Sequence, residues 1–80
     1  MSAQRDKPHF SVVNFREKHG HYPRGVAFWI FYFGHDVEPW IPLQKENLLR
    51  PLTYQEAKQY ATAEAIRRSC RSVYVDAMPL

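Results

Sequence analysis

Val26–Phe33 reads VAFWIFYF: five of its eight residues are aromatic, Val and Ile add β-branched side chains, and none is charged. An apolar run of this length is not a loop, and its aromatic and β-branched make-up favours a strand over a helix. Alternate side chains of a strand point to opposite faces. Ala27, Trp29, Phe31 and Phe33 therefore share one side, and Val26, Phe28, Ile30 and Tyr32 the other. Both sides are apolar. The rest of the chain offers one convincing helix, and one helix roofs only one face of a sheet. The second face is expected to be left without cover.

Working outward, His9–Arg16 (HFSVVNFR) reads as a preceding strand, with Phe10 and Val12 on one face and Val13 and Phe15 on the other. Glu17–Gly25 (EKHGHYPRG), with two glycines and a proline, reads as a turn or loop. It is longer than the two to five residues usual in a hairpin, and long tips often carry function. After Val26–Phe33, Gly34-His35-Asp36 supplies a turn. Val37–Leu43 (VEPWIPL) then returns as a third strand; Pro39 and Pro42 cannot donate to a ladder, which confines it to an edge or to an extended segment. Gln44–Leu52 is a polar connection whose Leu48, Leu49 and Leu52 tuck under the helix that follows.

That helix, Thr53–Ser69, has the clearest signals. Thr53 and Glu56 form a T-x-x-E capping box, Gln, Glu, Ala and Lys fill the interior, and Arg67, Arg68 and Arg71 crowd the C-terminal end, where cations complement the helix dipole. Tyr54, Ala57, Ala61 and Ala65 fall on one side at helical spacing. An alanine stripe lets a helix axis sit close to a sheet carrying bulky rings, so Trp29, Phe31 and Phe33 are expected to face it. Ile66, near Ala63 and Cys70, lies half a turn from that stripe. Ser72–Asp76 (SVYVD) alternates and reads as a closing strand. The expected fold is α+β: an antiparallel sheet of three to four strands with one helix packed on one face. Residues 1–8 (MSAQRDKP) form a flexible N-terminal arm and 9–80 a single domain.

Eighty residues lie near the lower limit for one unstapled core. Such a core supplies only about 3–5 kcal/mol net, and each fully buried Phe or Ile contributes roughly 1.5–3 kcal/mol, so aromatics concentrated in one strand are a route to stability. One cysteine, Cys70, excludes an internal disulfide and fits a reducing compartment. The opening MSAQRDKPHF has no basic-then-apolar leader, and the apolar run is far short of the ~20 residues of a membrane helix. A soluble, cytoplasmic protein acting in a host cell interior, with no membrane partner, is expected. The net charge of +3 and pI of about 9.2 suit nucleic acid or an acidic protein surface, and also serve solubility.

No constellation points to catalysis. His19 and His21 are one close pair of metal-type ligands without a second, whereas a structural zinc site takes four, in two pairs; no metal and no cofactor is expected. No spacing ties a histidine to Cys70 as a nucleophile's base. Asp36, Glu38 and Glu46 are scattered, and no phosphate loop or dinucleotide fingerprint occurs. The chain reads as a binder, not an enzyme. Arg67, Arg68 and Arg71, with Arg16, Lys18 and Arg24, could line a phosphate-binding surface, and aromatics on the uncovered face could stack bases or form the apolar centre of a protein interface. Trp40, between Pro39 and Pro42, is the best single hot-spot candidate; its structural alternative is to plug the end of the core.

The order strand–strand–(edge)–helix–strand over residues 9–76, with TYQEAKQYATAEA opening the helix, resembles the small phage-encoded ββαβ inhibitors that cover a working surface of a host machine, anti-CRISPR proteins and inhibitors of bacterial RNA polymerase among them. The layout is also similar to the arm-binding domain of phage integrases, in which a three-stranded sheet backed by a helix reads DNA. The first resemblance implies a phage-type inhibitor that binds a host protein complex, with a CRISPR-Cas effector among the candidate targets, and blocks it sterically. His19, His21, Tyr22 and Arg24 at the loop tip, together with Trp40, would make contact, while Arg67, Arg68 and Arg71 add charge complementarity. Homodimerisation through the spare sheet face or an edge is a companion expectation. The alternative is a small basic DNA- or RNA-binding domain.

Overall fold

The computed structural model describes residues 7–34, 37–42 and 50–78. In chain order the elements are β1 (His9–Ser11), α1 (Val13–His19), β2 (Val26–Phe33), β3 (Leu52–Thr53), α2 (Tyr54–Arg67) and β4 (Ser72–Met78). The four strands form one sheet in the order β1-β4-β2-β3. β4 runs antiparallel to β2 from Phe28↔Met78 to Phe33↔Val73, and β3 antiparallel to β2 through Val26↔Thr53 and Ala27↔Leu52. β1 lies parallel to β4, His9 opposite Ser72 and Ser11 opposite Tyr74.

Because β3 and β4 both oppose β2, the chain between them must cross over β2, and α2 is that crossover. The capping box is formed: Thr53 Oγ1 accepts from the Glu56 N–H at 3.2 Å and the Glu56 carboxylate accepts from the Thr53 N–H at 3.1 Å. Ala57, Ala61 and Ala65 are fully buried, and they meet a sheet face built from Ala27, Trp29, Phe31 and Phe33 with Val73, Val75 and Ala77. The helix-facing side of β2 is the one expected from the alanine stripe. Small residues on the helix and large ones on the strand interdigitate in the way dense cores require.

The α+β class holds, and four features depart from the expected detail. The strand expected over His9–Arg16 ends at Ser11, and Val13–His19 is helical instead, taking Glu17–His19 out of the expected loop as well. There are thus two helices, not one, among the described residues. The sheet is mixed, since β1 pairs with β4 in parallel. The strand expected over Val37–Leu43 is reduced to one bridge, Trp40 opposite Phe31, as Pro39 and Pro42 have no N–H to extend it. Finally, β4 continues past Asp76 to Met78 and lies inside the sheet, flanked by β1 and β2. Leu52 is buried; Leu48 and Leu49, with His35, Asp36, Leu43 and residues 1–6, lie outside the described residues.

Candidate functional site

The face of the sheet turned away from α2 has no described helix across it; α1 borders it along β4. In register its rows are Val26 with Thr53, Phe28 with Met78, Ile30 with Asp76, Tyr32 with Tyr74 and Ser11, and Ser72 with His9. Val26, Met78 and Tyr74 are 52%, 53% and 40% exposed, and Phe28, Ile30 and Tyr32 are half-buried. A surface of this composition, continuous over two central strands, is of the kind that marks an interaction site rather than scattered single residues.

Asp76 is the one carboxylate on the strands of this face among the described residues, and it does not stand alone. The Lys18 ammonium donates to its Oδ2 at 2.9 Å, His19 Nε2–H to its Oδ1 at 3.1 Å, and the Ala77 N–H to Oδ1 at 2.8 Å. Burial works against its ionisation, but the bonds from Lys18 and His19 outweigh this and hold the carboxyl below its ordinary range. The same contacts fasten α1 to the sheet. From α1, Phe15 enters the core and packs on Trp29 at 5.7 Å between ring centroids; Ala77, paired with Trp29 on β4, is small enough to let it pass.

The residues expected to touch a partner fall into two groups at opposite ends of β2, about 23 Å apart at ~3.3 Å per strand residue. At the Val26 end, His19 is half-buried, stacked on Phe15 at 4.2 Å and bonded to Asp76, so its contacts are structural. His21 is exposed and its Nδ1–H donates to the Tyr22 carbonyl at 2.8 Å. Tyr22 is exposed beneath the Arg16 guanidinium, 4.3 Å from the ring centre, and Arg24 is exposed. At the Phe33 end, Trp40 exchanges two backbone hydrogen bonds with Phe31, at 2.7 and 2.8 Å, and packs against Phe33 at 5.4 Å. It closes the core. Arg67 and Arg68 both bond Glu64, at 2.5 and 2.6 Å, chiefly the Arg67 bond driving the Glu64 carboxyl down to about 2, and Arg68 also lies over the Phe33 ring. Arg71 is exposed, and its carbonyl accepts the His9 N–H. The eight residues do not form one patch.

What sequence reasoning missed lies on or beside the open face: Tyr74, Met78 and Asn14, while Lys18, read there as part of a basic surface, was not placed beside the sheet. The alternation of Ser72–Met78 carried a signal for Tyr74 and Met78. Nothing local carried one for Asn14, and nothing local set Lys18 against β4; both reach the face only because α1 folds back on β4.

Compared with protein-family models, curated proteins and solved structures, the chain has no match. Among the described residues no three metal-type ligands converge, and no helix is long and apolar enough to cross a membrane. What this face displays is rings and aliphatic groups on two central strands, with a carboxylate among them that is bonded by Lys18 and His19.

Proposed function

We propose that the chain is a non-catalytic binding domain that acts by occlusion, docking the open face of its sheet onto a protein surface of a larger host complex and blocking it. This is the mode implied by its resemblance to small phage-encoded inhibitors, with a CRISPR effector among the targets that resemblance suggests. The observation that supports the reading is the apolar end of the open face, where Val26, Phe28, Ile30 and Met78 lie together on β2 and β4. Exposed aliphatic and aromatic groups on a rigid element are what the dry centre of a protein interface is made of. His21, Tyr22 and Arg24 precede Val26 in the chain and extend the footprint at that end.

The test is photo-crosslinking in the host cell from a reactive residue placed at Met78, with the same residue at Tyr60 on α2 as control. Adducts to one host complex from position 78 but not from 60 support the reading. Adducts from both positions alike, or from neither, would sink it. Sedimentation at two concentrations identifies a second copy as the occupant if the adduct is a dimer of the chain.

A further inference from the structure

Toward the Phe33 end the open face changes character. The row Tyr32, Tyr74, Ser11 and the row behind it, Ser72 and His9, carry rings and hydroxyls instead of aliphatic groups. Tyr32 and Tyr74 are direct cross-strand neighbours, which places their Cβ atoms about 4.5–5.5 Å apart on the open face. Beside them α1 leaves a cleft of about 140 Å³, lined by Asn14, Lys18, Tyr32, Tyr74 and Asp76, with Phe15 behind. Drug-sized ligands occupy roughly 300–1,000 Å³; this cleft has room for one ring system whose remainder lies outside.

The groups around it narrow the chemistry. The Asn14 amide and the hydroxyls of Tyr32 and Tyr74 make no hydrogen bond among the described residues, so donors and acceptors are ready for the edge of a planar heterocycle. The cleft's carboxylate, Asp76, is already met by Lys18 and His19, so an approaching anion is not opposed by a bare negative charge. Lys18, 62% exposed, spends one of its three ammonium donors on Asp76 and can give another to that anion while keeping the carboxylate covered. Glu56 and Glu64 sit on α2, on the other side of the sheet, and the chain as a whole carries +3. Exposed rings on an uncovered sheet face beside an exposed cation suit unpaired bases, because every base has a face to stack.

We propose that this cleft and its tyrosine pair bind a nucleobase together with its phosphate, presented by single-stranded nucleic acid. The base lies on the Tyr74 ring, Asn14 and the tyrosine hydroxyls meet its edge, and Lys18 takes the phosphate. This site is separate from the apolar end assigned to protein docking and stands or falls without it.

Fluorescence anisotropy of the full chain with labelled oligo(U) and oligo(dT) of about ten nucleotides is the test, with uridine monophosphate and inorganic phosphate as competitors. Binding is expected to weaken steeply between about 50 and 200 mM salt. Tyr74→Ala should weaken it about five- to a hundredfold, whereas Tyr60→Ala on α2 should change nothing. Lys18→Gln should lower the salt slope by about 1. Should Tyr74→Ala fail a melting control, Tyr74→Trp serves instead: it should keep the affinity, and its indole fluorescence should be quenched on binding. Full competition by the mononucleotide would name a free nucleotide as the source, and none would name the strand; either upholds the base site. No binding at about 100 µM protein, equal losses in Tyr60→Ala, or displacement by inorganic phosphate alone would overturn it.

Discussion

The Trp29 indole N–H donates to the Leu52 carbonyl at 2.9 Å, tying the middle of β2 to the short strand from which α2 departs. Trp29 is 2% exposed, so no water replaces that bond if it is lost. Trp29→Phe removes the donor and part of the volume. An unsatisfied buried carbonyl alone costs about 1–3 kcal/mol, and a domain of this size holds only about 0.05–0.15 kcal/mol per residue in total. Urea unfolding should lose at least that 1–3 kcal/mol; a loss under about 0.5 kcal/mol, the range of a neutral surface change, would show the bond to be dispensable.

Ala57, Ala61 and Ala65 have no exposed surface at all, so the distance between α2 and the sheet is set by their size. Ala61→Leu forces extra methylenes into a filled layer, at about 1–3 kcal/mol. At about 4–8 °C per kcal/mol for a domain of this length, the melting temperature should fall visibly. Ala63→Leu, on the exposed side of the same helix, should stay within about 0.5 kcal/mol. Equal effects from both would mean that the stripe does not set the packing.

The contrast between the two helices explains how much of the fold was legible. α2 announces itself locally through Thr53 and Glu56, and β2 through an unbroken apolar run; both were readable residue by residue. α1 begins at Val12, whose side chain makes no cap bond, and Val12, Val13 and Phe15 mimic strand alternation. Seven residues are too few for a helix to be stable on its own, so it is held by Phe15 on Trp29 and by Lys18 and His19 on Asp76, partners some 57 and 58 residues distant from the last two. Only its end was written locally, in Arg16, Lys18 and His19 followed by Gly20. The parallel pairing of β1 with β4 is likewise a long-range fact. The apolar end of the candidate face was visible in the alternation of Val26–Phe33, whereas the cleft beside Tyr74 depends on α1 and was not.

Acid should loosen α1. The Asp76 carboxyl is held below its ordinary 3.8, so its contribution is present above that value and is lost as pH falls through the lower folded value. Glu64, brought from 4.5 to about 2 by Arg67 and Arg68, adds a loss between about pH 4.5 and 2 at the far end of the molecule. Asp76→Asn should flatten the acid limb of the stability curve and raise amide exchange in Val13–His19, leaving α2 protected. Unchanged exchange in α1 would detach it from the Asp76 cluster.

Met78 is 53% exposed and contacts solvent on the open face. Met78→Lys should therefore leave the melting temperature within the range of a ~0.5 kcal/mol surface change. If the apolar end docks a protein, the same substitution should abolish capture of the host complex, since a charge left in the dry centre of an interface without a partner is costly. Retained capture with an unchanged melting curve would move the interface elsewhere on the molecule.

Gly20 ends α1 with φ of 79° and has nothing within 4 Å of where a Cβ would stand. A side chain there meets no obstacle, so the cost of substitution is that of the left-handed backbone alone. For Ala that is about 1–2 kcal/mol; Asn, whose short polar side chain tolerates this region, should cost less. Since the Gly20 N–H closes the helix on the Arg16 carbonyl at 2.8 Å, the loss should register first in exchange of α1 amides and in the Lys18–Asp76 contact, before global unfolding. Equal destabilisation by Ala and Asn would mean that space, not backbone conformation, governs this position.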